Sequence, residues 1–374
     1  MRGALVLLIT ATVIVSACSG GPSSDATQSP TRTVDIKRSL LDLAYTAFVD
    51  QDVHNVSSKK ALEAALEAAR VEARAQGGKA EVATPSFQDS SETQLSDFKL
   101  FAEAVNTLAL GVQATGGQFS AERLADAAIS GMIKASPDCH TQYLTASGRV
   151  LNSSPATASG ANATVPAQGT SLGGPDQAGL TGKILPGGIA YITWRDFVLN
   201  GTYKINDNLR AMLTKAVGQG AKAWLIDLRG NLGGSGIDMT SWFLNGEPTW
   251  TVLLKNGNGG TARANKDLRL PAEYQLPMVV ILNGKSASGS ELFALSLKEN
   301  QRATVVGQKS IGCFGAEFPN PLPGGGSLHV TSQEYEGAVT GAKYNNVGMP
   351  PDVQADDATA VDKAIEILKA KIGP

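Results

Sequence analysis

The sequence predicts an α/β protein in which a helical N-terminal region is followed by a mostly parallel sheet flanked by helices. Three observations predict it. Up to about residue 135 the apolar residues recur at helical spacing. Beyond about residue 183, short β-branched runs alternate with helical patterns. Two of those runs, Ala223 to Leu228 and Met278 to Leu282, end in Gly- or Ser-rich turns that open a helix pattern. The 374 residues are 42% hydrophobic and 18% charged, with a formal net charge of -2. That is the composition of a soluble globular chain, with enough length for one large domain or two smaller ones. The near-neutral balance argues against nucleic acid or an anionic membrane surface as the main partner.

The elements follow in order. Met1-Arg2-Gly3 is a short basic start, and Ala4 to Val15 is an apolar run of signal-peptide length. Val15-Ser16-Ala17-Cys18 resembles a bacterial lipobox, in which Cys18 would be lipidated; the alternative is a plain secretory peptide with a stray Cys. Residues 1–18 are thus expected to be a signal segment and 19–34, rich in Gly, Ser, Thr and Pro, a flexible tether. This places the chain in a bacterial cell envelope, lipid-anchored on the extracytoplasmic side. Four Asn-x-Ser/Thr sequences, at Asn55, Asn152, Asn162 and Asn200, read as chance matches to glycosylation acceptors in such a chain.

Asp35 to Val53, Ser58 to Ala75, Phe98 to Leu110 and Ser120 to Lys134 each put apolar residues on one helical face, with Ser120 a suitable N-cap. They form the helical domain expected over 35–146, which closes with the non-helical Ser136 to Leu144. Residues 147–182 are rich in Ala, Gly, Ser and Thr without periodicity, and read as a linker or long surface loop. The α/β core is expected over 183–374. Its strands are Gly188 to Trp194, Ala223 to Leu228, Met278 to Leu282, Thr304 to Val306 and Ser327 to Thr331. Its helices are Lys204 to Val217, Gly236 to Leu244, Ser290 to Lys298 and Ala358 to Lys371.

The stretch from Met278 to Lys298 is the chemical centre of this pattern. Ser286-Ala287-Ser288-Gly289-Ser290-Glu291 lies between strand and helix. A hydroxyl on such a sharp turn is exposed, and the helix N-terminus behind it can hold a developing oxyanion. On these residues alone an ordinary cap and turn is an equal reading.

The wider arrangement adds to it. Asp227 to Gly234 (DLRGNLGG), the Ser trio, Arg302 to Gly307 (RATVVG) and Gly348 to Asp352 (GMPPD) occur in this order. Together they resemble the carboxy-terminal-processing, or tail-specific, serine peptidases and their tricorn-type relatives, over roughly Lys183 to Val353. The resemblance implies a crotonase/ClpP-like peptidase core with Ser288 as nucleophile. It also implies an oxyanion hole from the Gly289 amide and one amide of Gly233 or Gly234. Asp227 and Arg229 then fix the strand end and turn.

Two departures matter. The processing peptidases use a Lys base in a position where this chain has Cys313, so a Ser–Lys dyad with Lys309 or Lys285 is not expected. The tricorn-type branch uses a His in a D-x-H-T-like segment, which Asp138-Cys139-His140-Thr141 matches. His140 is therefore expected to be the base, as imidazole suits proton transfer near neutral pH. His54 is read as a surface residue and His329 as a packed sheet residue. A Glu that orients the imidazole in that branch is replaced by Asn345, which is expected to take the orienting role. The family mapping also brings Cys139 and Cys313 to one site and implies a disulfide between them; two buried free thiols, or a metal site with His140, are the alternatives.

About forty residues separate Leu144 from Gly188, too few for the PDZ domain of the processing peptidases. The function expected is a lipid-anchored serine endopeptidase acting on peptides or unfolded proteins, without metal or cofactor. The alternative is a catalytically silent peptide-binding or scaffold lipoprotein of the same fold. No feature specifies an oligomeric state, a cleavage preference or an activating partner.

Overall fold

The computed structural model describes residues 33–153, 159–197, 199–200, 203–235 and 237–373. The expected signal segment, Cys18 and all but the last two residues of the tether lie outside them. Four helices come first: α1 (Arg38–Gln51), α2 (Ser58–Ala75), α3 (Gln94–Ala114) and α4 (Ala121–Ile133). Ser57 and Ser120 cap α2 and α4 by accepting from the amides of Lys60 and Arg123. Then follow β1 (Gln142–Leu144), β2 (Val150–Asn152), β3 (Thr170–Gly173), β4 (Thr181–Leu185) and β5 (Ile189–Thr193). A small hairpin of β6 (Leu199–Asn200) and β7 (Tyr203–Lys204) leads into α5 (Ile205–Gly218) and β8 (Ala223–Asp227). After β9 (Pro248–Leu254) and β10 (Gly257–Arg263) come β11 (Met278–Leu282), α6 (Gly289–Glu299) and β12 (Thr304–Gly307). The chain closes with β13 (Gly315–Pro321), β14 (Ser327–Gly337), β15 (Val353–Gln354) and α7 (Ala360–Ile372).

Seven strands form the central sheet in the order β15-β12-β11-β8-β5-β4-β3. The run from β15 to β5 is parallel, and β4 and β3 add antiparallel at one edge. Every residue of β5, β8 and β11 is buried. This is why their sequences are continuous apolar runs rather than alternating ones. α5 and α6 cover one face and α7 the other. Gly236 to Leu244, expected as an α-helix, is a 3-10 helix over Ile237–Trp242, and Gly236 itself lies outside the described residues.

A second sheet is antiparallel, in the order β10-β9-β14-β1-β2 with β13 also on β14. It corrects the expected domain division. α1 to α4 share one core with Tyr143 of β1 and with Leu322, Leu328 and Val330 near the end of the chain, so the helical region is not a separate domain. Pairing between residues nearly two hundred apart, such as Gln142 with His329, leaves no local period to read. The 147–182 linker is corrected too. It holds β2 and β3 and reaches β4, and Leu172, Ala178 and Leu180 are buried in the core of the central sheet. Short strands with few β-branched residues carry too little apolar pattern to stand out from a loop.

Candidate active site

The site gathers at the carboxyl ends of the parallel strands β8 and β11, where an open α/β sheet leaves its crevice. Behind β11 the chain turns sharply into α6, and Ser288 takes φ 53° and ψ -118°, a strained combination for a residue with a side chain. Glu291 holds the turn. Its buried carboxylate accepts from the amides of Ser288, Gly312 and Cys313, each at 2.8 Å, and from the Ser310 hydroxyl. Burial pushes this carboxyl up to about 7, against the lowering effect of those four donors. Glu291 thus joins the Ser288 turn to the Ser310–Cys313 segment. Glu291 Oε2 takes the Ser288 amide and not its hydroxyl.

Ser286 and Ser290 are differently placed. Both are buried, with Ser286 Oγ donating to the Leu228 carbonyl and Ser290 Oγ to the Ala287 carbonyl. Ser288 Oγ alone of the three faces a base: it lies 3.2 Å from His140 Nε2.

His140 comes from the loop between α4 and β1. Asp138, two residues earlier, is fully buried, and its Oδ1 accepts from the His140 backbone amide at 2.8 Å and from the Thr331 hydroxyl at 2.6 Å. The same oxygen stands 3.7 Å from His140 Nδ1. Burial acts to raise the Asp138 carboxyl, but hydrogen bonds from His140, Thr331 and Asn345 outweigh it and hold it well below the usual carboxylate range. An ionised carboxylate therefore sits behind the imidazole, on the side away from Ser288.

This geometry corrects the expected place of Asn345. Its Nδ2 donates to Asp138 Oδ2 at 2.9 Å and its Oδ1 accepts from the Phe314 amide at 2.9 Å; among the described residues it makes no hydrogen bond to His140. The residue that faces Nδ1 is Asp138, and Asn345 holds that residue from behind. Two-residue spacing in Asp138-Cys139-His140 was the signal available in the sequence: a short D-x-H turn can bring carboxylate and ring together. His54 is also misplaced as a surface residue. It is mostly buried against Asp52, Asp138, Glu334 and Asn345. His329 lies in β14, between Ser327 Oγ and Glu317.

Gly233 and Gly234 meet the Ser288 turn closely. A Cβ on Gly233, whose φ is +85°, would lie 2.5 Å from the Gly289 nitrogen and 2.7 Å from Ser288 Cβ, so only glycine fits. The Gly233 amide, however, donates to Asn231 Oδ1 at 2.8 Å. Of the pair, this leaves the Gly234 amide. Neither its amide nor that of Gly289 has an acceptor among the described residues, and the Gly234 nitrogen lies 3.1 Å from where a Gly289 Cβ would be. Asp227 and Arg229 form a buried ion pair at 2.7 Å that braces the start of this Gly-rich turn.

Cys139 and Cys313 are joined by a disulfide, with Cα atoms 5.8 Å apart. Cys139 Sγ lies 3.3 Å from His140 Nδ1, so the bridge runs along the edge of the imidazole. Asp138, Cys139 and His140 place ligand-type atoms within 4.8 Å of one another, but a sulfur held in a disulfide is not the thiolate that a metal takes. The bridge closes a loop with a sequence separation of 174. Replacing both cysteines by Ser should lower stability by up to roughly 5 kcal/mol on the chain-entropy account. Thermal unfolding checks this, and non-reducing peptide mapping should recover the linked pair from the native chain. Two alkylatable thiols in untreated protein would contradict it.

Comparison with known proteins agrees with this architecture. Residues 188–355 match the model of peptidase family S41. The carboxyl-terminal-processing protease of Synechocystis is 35% identical over 121 residues, covering 32% of this chain and 27% of that protein. The carboxy-terminal-processing protease of Bartonella bacilliformis is 28% identical over 176 residues, covering 45% of this chain and 38% of that one. The chain thus spans well under half the length of these curated relatives. A crystal structure of a candidate peptidase from Parabacteroides merdae superposes over 84% of this chain and 98% of its own, with a TM-score of 0.51 at 18% identity, which is a likeness of fold. The segment that holds β5, β8, β11, β12 and the turns behind them thus matches the core of peptidase family S41, and the chain is similar there to the carboxy-terminal-processing proteases.

Proposed function

We propose that this chain is a serine endopeptidase of the tricorn-like branch, without a PDZ domain, that cleaves peptides or unfolded proteins. Ser288 is the nucleophile, His140 the base and Asp138 the residue that orients the base. The observation that carries this reading is the Ser288 hydroxyl, 3.2 Å from His140 Nε2 on a strained turn, with an ionised carboxylate on the other side of the ring.

In the reaction, His140 Nε2 takes the Ser288 hydroxyl proton as Oγ bonds to the scissile carbonyl carbon. The carbonyl electron pair moves to oxygen, where the Gly289 and Gly234 amides receive the negative charge. When the carbonyl re-forms, the C–N bond breaks and the amine leaves with the proton from His140. Water then repeats the sequence on the acyl-enzyme, with His140 taking its proton and returning one to Ser288 Oγ. Asp138 keeps Nδ1 protonated and stabilises the imidazolium in both halves. Hydrolysis of unfolded casein by the purified chain tests the reading. A folded chain that neither cuts casein nor reacts with a fluorophosphonate is the silent scaffold instead.

The place of action in this proposal is the extracytoplasmic face of a bacterial membrane, with the lipid on Cys18 as the anchor. The apolar Ala4 to Val15 run and the lipobox-like Val15 to Cys18 support it. The Cys139–Cys313 disulfide belongs with a compartment where such bonds persist. Cys18→Ala should move the protein from the membrane fraction to the soluble one; retention in the membrane contradicts lipid anchoring.

A further inference from the structure

His54 follows α1 and touches neither Ser288 nor His140 by a hydrogen bond among the described residues, yet it closes the back of their site. The Val53 amide donates to the Thr331 carbonyl at 2.9 Å, which docks the end of α1 onto β14. That places the His54 ring among three carboxylates from three segments. Nδ1 is 3.3 Å from Asp52 Oδ1, and Nε2 is 3.5 Å from Glu334 Oε2 of β14 and 3.8 Å from Asp138 Oδ2. Asp52 and Asp138 are fully buried. Among the described residues no Lys or Arg forms an ion pair with any of the three. Lys255, from the β9–β10 turn, donates to the Val49 carbonyl instead. Buried carboxylates without a counter-charge are costly, so the positive charge for this cluster falls to the histidines.

We propose that His54, as a cation, is a positioning residue for the reaction. It fixes the carboxylate of Asp138 from the side opposite His140 and so ties the orientation of the catalytic base to the helical region. Asp138 has two oxygens with separate tasks. Oδ1 takes the His140 amide and the Thr331 hydroxyl and faces the ring. Oδ2 is held by Asn345 Nδ2 at 2.9 Å and faces His54. Fixing Oδ2 fixes the carboxylate plane and therefore Oδ1. A displacement of about 1 Å at such a position is enough to cost a reaction substantially. Hydrogen bonds to Asp52 and then Glu334 push His54 up to about 10, against the lowering effect of burial, which keeps it charged at neutral pH. Asn345 Nδ2 lies 3.2 Å from His54 Nε2 as well as 2.9 Å from Asp138 Oδ2, so the amide links the His54 ring to the carboxylate.

The charge also has a sign in the chemistry. A cation beside Asp138 draws on the same negative charge that stabilises the His140 imidazolium. His54→Gln should therefore shift the acid limb of the pH–rate profile upward, on the order of half a pH unit for loss of one nearby charge. It should also slow the reaction roughly tenfold through the loosened carboxylate.

The inference rests on the Ser288–His140 reading, and the experiment separates the two. The rate of Ser288 labelling by a fluorophosphonate is measured against pH for the full chain, for His54→Gln and for Glu334→Gln, with melting temperatures alongside. Glu334→Gln leaves the ring in place but weakens its hold on the proton, so its alkaline limb should move to lower pH. It carries the test if His54→Gln fails to fold. An unlabelled wild type overturns the peptidase reading. A labelled wild type whose profile superimposes on those of the folded variants overturns the role of His54 alone. A variant that loses melting temperature but keeps rate and profile shows a structural residue only, and likewise overturns it.

Discussion

Ser288→Ala should reduce casein hydrolysis by about ten-thousandfold or more, to background, while the protein stays folded. The size follows from removing the atom that forms the covalent bond, after which His140 has no hydroxyl to deprotonate. Folding should survive because the turn is fixed by the Ser288 amide, which donates to Glu291, and not by the hydroxyl. Ala at φ 53° keeps the strain already present. The neighbouring serines give the contrast. Ser286→Ala removes the donor to the Leu228 carbonyl and Ser290→Ala the donor to the Ala287 carbonyl. Each should cost about 1–3 kcal/mol of stability as a lost buried hydrogen bond, with hydrolysis retained. Loss of hydrolysis in Ser290→Ala with retention in Ser288→Ala would move the nucleophile.

His140→Ala should cost on the order of a thousandfold in kcat, with KM little changed, because the imidazole acts on the proton and not on substrate binding. On the proposed mechanism, the remaining rate would come from the Gly289 and Gly234 amides and from substrate binding. Asp138 and Thr331 still hold each other at 2.6 Å in that variant, so the loop should keep its place. Lys309→Ala and His329→Ala should leave kcat close to wild type. Among the described residues Ser288 Oγ makes no hydrogen bond to Lys309, and His329 is engaged in β14 with Ser327 and Glu317. A dead Lys309→Ala together with an active His140→Ala would return the reaction to a Ser–Lys pair.

What was legible in the sequence was local. β8 and β11 were readable because strands buried on both faces are written as unbroken apolar runs. α2 was readable to the residue because its apolar stripe begins at Ser58 and Gly77-Gly78 follow its end. The second sheet was not legible. β1 and β2 are three residues each, and their partners lie far along the chain. The same limit applied at the site. The positions of Ser288 and Gly233 follow from contiguous motifs. Asp138, Asn345 and His54 meet only because β14 carries the end of α1 and the α4–β1 loop to one place. An Asn in a peptidase motif reads as a substitute for an acid. Only the fold sets Asp138 opposite His140 Nδ1 and has Asn345 donate to that carboxylate.

The central claim is that Ser288 is activated by His140, and mass spectrometry of the fluorophosphonate adduct tests it most directly. The expected result is one adduct per chain, mapped to Ser288, formed in the wild type, lost in Ser288→Ala and slowed by orders of magnitude in His140→Ala. An adduct on another serine, or a folded wild-type chain that takes up no probe, would contradict it.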